Sequence, residues 1–194
     1  MRTTLRTAGV AVRAMLVFTA VLGVGYMLLI TGIGQLALPA QANGSLVRSA
    51  DGALVGSTLI GQSFQDADGQ ALPQYFQSRP SAASWDAAAS TGSNLGPENT
   101  DLIAAISENR SGFETLNGAG AIPADAVTSS GSGLDPHISV DNAERQVARV
   151  AKARGIPIAD VEALVAESTR GRDLGFLGEP RVNVLELNRA LDAR

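Results

Sequence analysis

The chain has no cysteine. A disulfide framework, a thiolate metal site and a cysteine nucleophile are therefore excluded. The redox setting stays open, because oxidising compartments permit disulfides without requiring them. Aromatic residues make up only 4% of the sequence, so any core must be built from Leu, Ile, Val and Ala. There is one histidine, His137, and no recognised metal-ligand spacing around it. No acidic residue occurs before Asp51, and no charge of either sign lies between Arg13 and Arg48.

That charge-free run has an apolar heart, Ala14–Leu38, long enough to cross a hydrocarbon core of about 30 Å as a helix. Arg2, Arg6 and Arg13 precede it, and basic residues gather on the non-translocated side of a membrane. The expected organisation is a cytoplasmic N-terminus (1–13), a transmembrane helix (14–38), a linker (39–50) and an extracytoplasmic domain (51–194). A cleaved signal peptide is the rival reading, since Ala40-Gln41-Ala42 has the small-x-small form of a cleavage site. The apolar stretch is, however, roughly twice the usual 7–15 residues of a signal h-region. Gly25 and Gly32 share one side of the helix. They allow close approach of a second helix, and they also match the ordinary glycine content of membrane spans.

All 19 acidic residues and 12 of the 15 basic ones follow the anchor, a net charge of −7. That balance excludes nucleic acid as the natural partner, because phosphate neutralisation selects basic surfaces. About 155 residues remain, enough for one small domain with its own core. The fold class expected is α+β: one N-terminal transmembrane helix, then one small extracytoplasmic domain with several helices and short strands.

Within the domain, Leu54–Ile60 reads as a strand or extended arm bounded by glycines. The stretch to about Ser93 shows little periodicity beyond Tyr75-Phe76, and Arg79-Pro80 marks a turn. Pro97 and Asn99 open a helix over roughly Asp101–Arg110, with Leu102, Ile103 and Ile106 on one face. Ile122–Ser129 reads as extended. Val140–Arg154 is the best helix. Ala143, Val147, Val150 and Ala151 form its stripe, Arg145, Arg149 and Lys152 a solvated basic face, and Gly155 with Pro157 the stop. Further helices cover Ala159–Ser168, burying Val161, Leu164 and Val165, and the residues after the N-cap Asn183, burying Val184, Leu187 and Leu191.

Two segments concentrate polar chemistry. The loop Ser129–Ser139 holds His137, Asp135 and several serines, so a nucleophilic triad has to be considered. It lacks the G-x-S-x-G elbow, and a structural role fits better: glycines for a tight turn, and Asp135 or Ser139 as helix cap. Gly131-Ser132-Gly133 before a helix hints at a phosphate cradle, but Pro136 stands where G-x-G-x-x-G needs its third glycine. The second segment, Gly171–Val184, carries three glycines among apolar residues. Arg172, Glu179 and Arg181 are placed to form ion pairs bracing the C-terminal helix, with partner docking as the alternative role. No catalytic or metal-binding residue is assigned.

Five runs, in order behind a single anchor, closely resemble one family. They are Gly56–Gln62, Tyr75–Ser81, Gly92–Pro97, the serine-glycine loop through Ser139, and Leu174–Asn188. The family is KdpC, the C subunit of the Kdp-type potassium-transporting P-type ATPase of bacteria and archaea. One departure is Gln77, where the family usually carries tryptophan, which weakens a local packing contact. The resemblance implies a non-catalytic accessory subunit of the plasma membrane. An A subunit would carry potassium selectivity, and a B subunit would hydrolyse ATP. The residues agree, since one helix cannot enclose an ion pathway and neither T-V-G-Y-G nor D-K-T-G-T is present.

The resemblance also implies a catalytic chaperone that raises the B subunit's affinity for ATP. An outward-facing domain cannot touch cytoplasmic nucleotide, so either that effect travels through the helix and assembly or the orientation is the reverse. No cofactor of its own is expected; ATP enters only at the level of the family, without assigned residues. The helix would pack on the potassium-conducting subunit, and the domain would cover its external entrance. Two other classes remain as alternatives: an anchored or secreted extracytoplasmic binding module, and a hydrolase using His137 with a serine.

Overall fold

A computed structural model describes residues 2–49 and 51–194; Met1 and Ala50, in the expected N-terminus and linker, lie outside the described residues. The chain forms two compact units, Met1–Leu46 and Val47–Arg194.

The first unit is helical from Arg2 to Ala37. Helix α1 (Arg2–Phe18) runs through a π-helical stretch, Thr19–Gly25, into α2 (Tyr26–Ala37). Thr3–Ala37 has a mean hydropathy of 2.2 over its most apolar window, none of which is buried. Its apolar part, Ala14–Ala37, rises about 36 Å at 1.5 Å per residue, enough for a bilayer core. A single turn, α3 (Pro39–Ala42), follows. The Asn43 amide donates to Gln35 Oε1 at 3.0 Å and to the Pro39 carbonyl at 2.7 Å, closing the helical end.

The second unit mixes helix and strand. Strands β1 (Leu46–Arg48) and β2 (Leu54–Ser57) form a two-stranded sheet, shorter than the extended run expected to Ile60. Helix α4 (Thr100–Asn117) is capped by the Asn99 side chain, which accepts from Asp101 N. It runs past the expected Arg110 yet fully buries none of its residues. Ile103, one of the three apolar positions expected on one face, is 57% exposed. The Ile122–Ser129 segment is not extended. Pro123 enters a 3-10 turn at Ala124–Ala126, and Thr128 Oγ1 donates back to the Ala124 carbonyl at 2.7 Å.

The core lies between a three-stranded sheet and three helices. Strand order is β3 (His137–Ser139), β5 (Arg181–Asn183), β4 (Thr169–Arg170), all antiparallel, with Ile138 opposite Val182. Helices α5 (Val140–Arg154), α6 (Ile158–Ser168) and α7 (Val184–Asp192) bring in the apolar stripes the periodicity predicts. Ala143, Val150, Val161 and Leu187 are fully enclosed. Gly155, at φ 68°, ends α5 in the left-handed conformation that glycine adopts without strain. Asn183 caps α7 by accepting from Glu186 N.

The irregular stretch Gln62–Trp85 has almost no ladder of its own, so side chains take the place of a partner strand. The Asn188 amide accepts from Phe76 N at 2.8 Å and donates to Phe76 O at 2.9 Å. Gln146 does the same for Gln77, at 2.7 and 3.1 Å. Arg149 donates to the carbonyls of Pro73 and Tyr75 at 2.6 and 2.8 Å. It is not part of a solvated basic face: burial lowers its pKa to about 10, which leaves it charged at neutral pH. Gln77 Nε2 reaches the carbonyls of Phe64, Leu72 and Tyr75 at 3.0–3.3 Å, so this position supplies hydrogen bonds where an aromatic contact is lost.

Replacing Asn188 by Ala strands both backbone groups of Phe76, a residue with no solvent exposure. The expected cost is about 3 kcal/mol, or a fall of about 6–12 °C in the thermal midpoint of the detergent-solubilised chain. Leu59→Ala, at a side chain 58% exposed, should stay within about 0.5 kcal/mol.

Candidate functional site

The serine-glycine loop is the meeting point of the runs that carry the family resemblance. Gly61 N donates to the Leu134 carbonyl at 2.8 Å, and Ser81 Oγ to the Gly133 carbonyl at 2.5 Å. Thr91 N donates to the Ser132 carbonyl at 3.0 Å. Gly133 sits at φ 66°, and a Cβ there would lie 2.7 Å from both Ala83 Cβ and the Thr91 carbonyl. Only glycine fits. A Cβ on Gly61 would likewise lie 2.6 Å from the Asp135 carbonyl oxygen. From the other side, the Asn183 amide donates to the Thr58 carbonyl at 2.8 Å.

Beside this loop is a cleft of about 540 Å³ whose lining includes Arg79, Asp125, Asp135, His137, Glu179 and Arg181. Each of these six side chains is already engaged. Arg79 donates to Asp135 Oδ2 at 3.0 Å, and His137 Nδ1 lies 3.5 Å from Asp135 Oδ1. Burial raises the Asp135 pKa, but hydrogen bonds from the His137 ring, its backbone N–H and Arg79 outweigh it, holding the carboxyl below its usual range. Asp135 therefore supports the turn rather than capping α5.

The cap is Ser139, whose Oγ accepts from Asn142 N at 3.1 Å. Asp125 completes it: its carboxylate accepts from Ser139 N, Ser139 Oγ and the Asn142 amide at 2.8–3.0 Å. Helix N-termini attract anions, and here a carboxylate of the chain itself takes that position. A phosphate cradle at Gly131–Gly133 has no free helix end to use. The hydrolase arrangement is not assembled either. Ser139 Oγ is committed to Asp125 and Ser130 Oγ faces Ser132 Oγ at 3.3 Å, so none of these hydroxyls hydrogen-bonds His137.

Arg79 and Asp125 were not legible as site residues. Arg79 looks like part of a turn, and Asp125 lies 14 positions from the serine it serves, with no local spacing to mark it. In the second polar segment the expected ions do pair, but with different effect. Arg172 meets Glu179 at 2.5 Å and Arg181 meets Asp173 at 3.1 Å, closing the Gly171–Pro180 excursion on itself. Helix α7 is braced instead by Arg170–Glu186 and Arg154–Asp192, both at 2.7 Å.

A second cleft, about 740 Å³, lies between α4 and the Gln62–Trp85 stretch. Its lining includes amides (Gln62, Gln65, Gln70, Asn109) and the rings of Phe64 and Trp85. Glu108 is its one carboxylate, and no basic residue lines it. Such a lining offers a triphosphate no positive charge.

Because the folded-state pKa of Asp135 is depressed, its contribution to stability is complete above the usual carboxylate pKa of 3.8 and is lost as pH falls through the lower folded value. The gap in thermal midpoint between the chain and its Asp135→Asn variant should be full at pH 6 and shrink below about pH 4. A gap unchanged at pH 3 would contradict the Arg79–Asp135–His137 assignment.

Comparison with known proteins addresses the whole chain. Residues 8–193 match the family model of KdpC, described as K+-transporting ATPase, c chain. A protein of Caulobacter vibrioides named potassium-transporting ATPase KdpC subunit is 55% identical over 186 residues, 95% of this chain and 91% of the relative. Proteins of the same name from Kineococcus radiotolerans and Mycobacterium tuberculosis are 53% and 51% identical, over 96% and 94% of this chain and 93% and 95% of the relatives. With the family covering nearly every residue, the chain belongs to the KdpC family, the c chain of K+-transporting ATPase, an accessory subunit and not the one that hydrolyses ATP.

Proposed function

We propose that the chain is the single-anchor accessory subunit of an ATP-driven potassium uptake complex, assembled with a potassium-conducting A subunit and an ATP-hydrolysing B subunit. The observation that carries this reading is the family match over residues 8–193 together with one apolar helix, Thr3–Ala37. The N-terminus lies in the cytoplasm and the domain on the outer side. What supports that orientation is the asymmetry of charge: Arg6 and Arg13 before the apolar stretch, and a net −7 beyond it.

Any rise in the B subunit's ATP affinity is transmitted through the helix and the assembled complex, with no nucleotide site in the outer domain. The amide-lined cleft without basic residues and the carboxylate-filled end of α5 both favour that indirect route. The domain covers the external entrance of the potassium-conducting subunit. Its acidic surface raises the local cation concentration there, an effect that salt should screen.

The test is gentle solubilisation of native membranes carrying the chain with a C-terminal tag. Recovery of two large membrane proteins, one a P-type ATPase, with the tagged chain at full mass, is the expected result. A chain trimmed near Ala42 and recovered alone would overturn it. In the same complex, changing exposed Glu98, Asp101 and Glu108 to Lys should raise the potassium concentration for half-maximal ATPase activity at low ionic strength. The difference should close at high salt.

A further inference from the structure

The Gly171–Pro180 excursion ends in Leu174-Gly175-Phe176-Leu177, and this tip is the least buried apolar surface of the outer domain. Leu174 is 83% exposed and Phe176 69%, the two highest values for large apolar side chains in the second unit; Leu177 is 48% exposed. Isolated exposed leucines are ordinary, but three apolar side chains within four residues are not. The tip is also held in shape. Asp173 and Leu177 exchange both backbone hydrogen bonds at 2.9 Å, and Gly175 N donates to the Arg172 carbonyl at 3.1 Å. Below it, the Arg172–Glu179 and Arg181–Asp173 pairs clamp the two arms together.

Leu174 adopts φ 54°. Left-handed backbone carries a steric cost for a branched side chain, where glycine or asparagine would fit with less strain. Neither burial nor any side-chain hydrogen bond offsets that cost within the chain. A strained, exposed leucine beside an exposed phenylalanine on a clamped turn is organised for contact with something else.

We propose that this tip is a preformed docking knob that enters an apolar, uncharged recess on a membrane-embedded partner subunit. The inference rests on the reading of the chain as a pump subunit and names the part of the domain that makes the contact. Charge decides among occupants. The four ions of the stem cancel in pairs, so the knob arrives without net charge and asks for an uncharged recess. A bilayer surface is disfavoured, because anionic lipid attracts unpaired basic residues and this domain carries net −7. A second copy is disfavoured as well, since the clefts of this chain carry carboxylates: Glu108 in the one beside α4, Asp125 and Asp135 beside the serine-glycine loop, and Glu144 and Glu162 between α5 and α6. A few residues seated in well-packed, desolvated pockets carry most of an interface's binding energy, which suits a short tip.

The absence of cysteine makes the test direct. Phe176→Cys in the full chain provides one thiol at the tip, and Ser107→Cys on exposed α4 provides the control. Maleimide labelling is followed for the chain alone in detergent, alone in lipid nanodiscs, and in the purified complex. The expected result is labelling of Phe176→Cys about tenfold slower in the complex than alone in either setting, with Ser107→Cys unchanged. Equal rates in the complex and alone overturn the knob, even where partners co-purify and the subunit reading stands. Slow labelling alone in nanodiscs but not in detergent assigns the tip to lipid. Thiol cross-linking between isolated chains assigns it to a second copy. Either of those results overturns the proposal. Failure of the unsubstituted chain to co-purify with partners rejects the subunit reading itself, separately from the tip. Phe176→Ser should keep the thermal midpoint of the chain while lowering recovery of partners, which separates docking from folding.

Discussion

The second unit, Val47–Arg194, depends on side-chain amides doing the work of a β-strand. Asn188 and Gln146, both almost completely buried, hold the backbone of Phe76 and Gln77 from two different helices. A stretch without regular structure would otherwise bring unpaired N–H and C=O groups into the core, each costing about 1–3 kcal/mol. With the amides in place, Phe76 can be fully buried although its segment belongs to no sheet or helix. Arg149 extends the same device by binding two carbonyls just before it.

Everything nearer the candidate site follows from that clasp. Once residues 73–77 are fixed, the chain leads directly to Arg79, which meets Asp135, and to Ser81, which holds the Gly133 carbonyl. The serine-glycine loop is thus supported along its length, and its charges are spent on one another. Asp125, Asp135 and Glu179 each already have a donor, an arrangement built for rigidity. This explains why a loop rich in serine, aspartate and histidine presents no nucleophile and base in hydrogen-bond contact. Among the described residues of the second unit, the two most exposed large apolar side chains, Leu174 and Phe176, lie on the tip beyond its clamp of ion pairs.

Much of the helical layer was legible in the sequence because its determinants are local. The stripe from Ala143 to Ala151, the glycine stop at Gly155 and the cap at Asn183 each act within a few residues of themselves, and all three hold. What failed or stayed hidden depends on distant partners. Phe76 and Asn188 are 112 positions apart, and Gln77 and Gln146 are 69 apart, so no window reveals the clasp. The basic face of α5 looked solvated because two of Arg149's acceptors are backbone carbonyls, which leave no trace in side-chain chemistry, and a third, Asn117, is 32 positions away. Periodicity places Ile103 on an apolar face without saying whether anything covers it, and it is 57% exposed. The segment after Ile122 looked extended because Pro123 favours both an extended residue and the start of a turn, and the Asp125 contact with Ser139 lies outside local view. The family resemblance was legible in runs that fold together around the loop, which is a physical reason for their joint occurrence.

The measurement that bears most directly on this account is amide hydrogen exchange at Phe76 and Gln77 in the intact chain. If Asn188 and Gln146 serve as the missing strand, these two amides exchange only with global unfolding, as slowly as those of Val150 in α5. Exchange at the rate of an open loop, with Val150 still protected, would mean that the irregular segment is not held by the helices, and the rigid domain described here would be wrong.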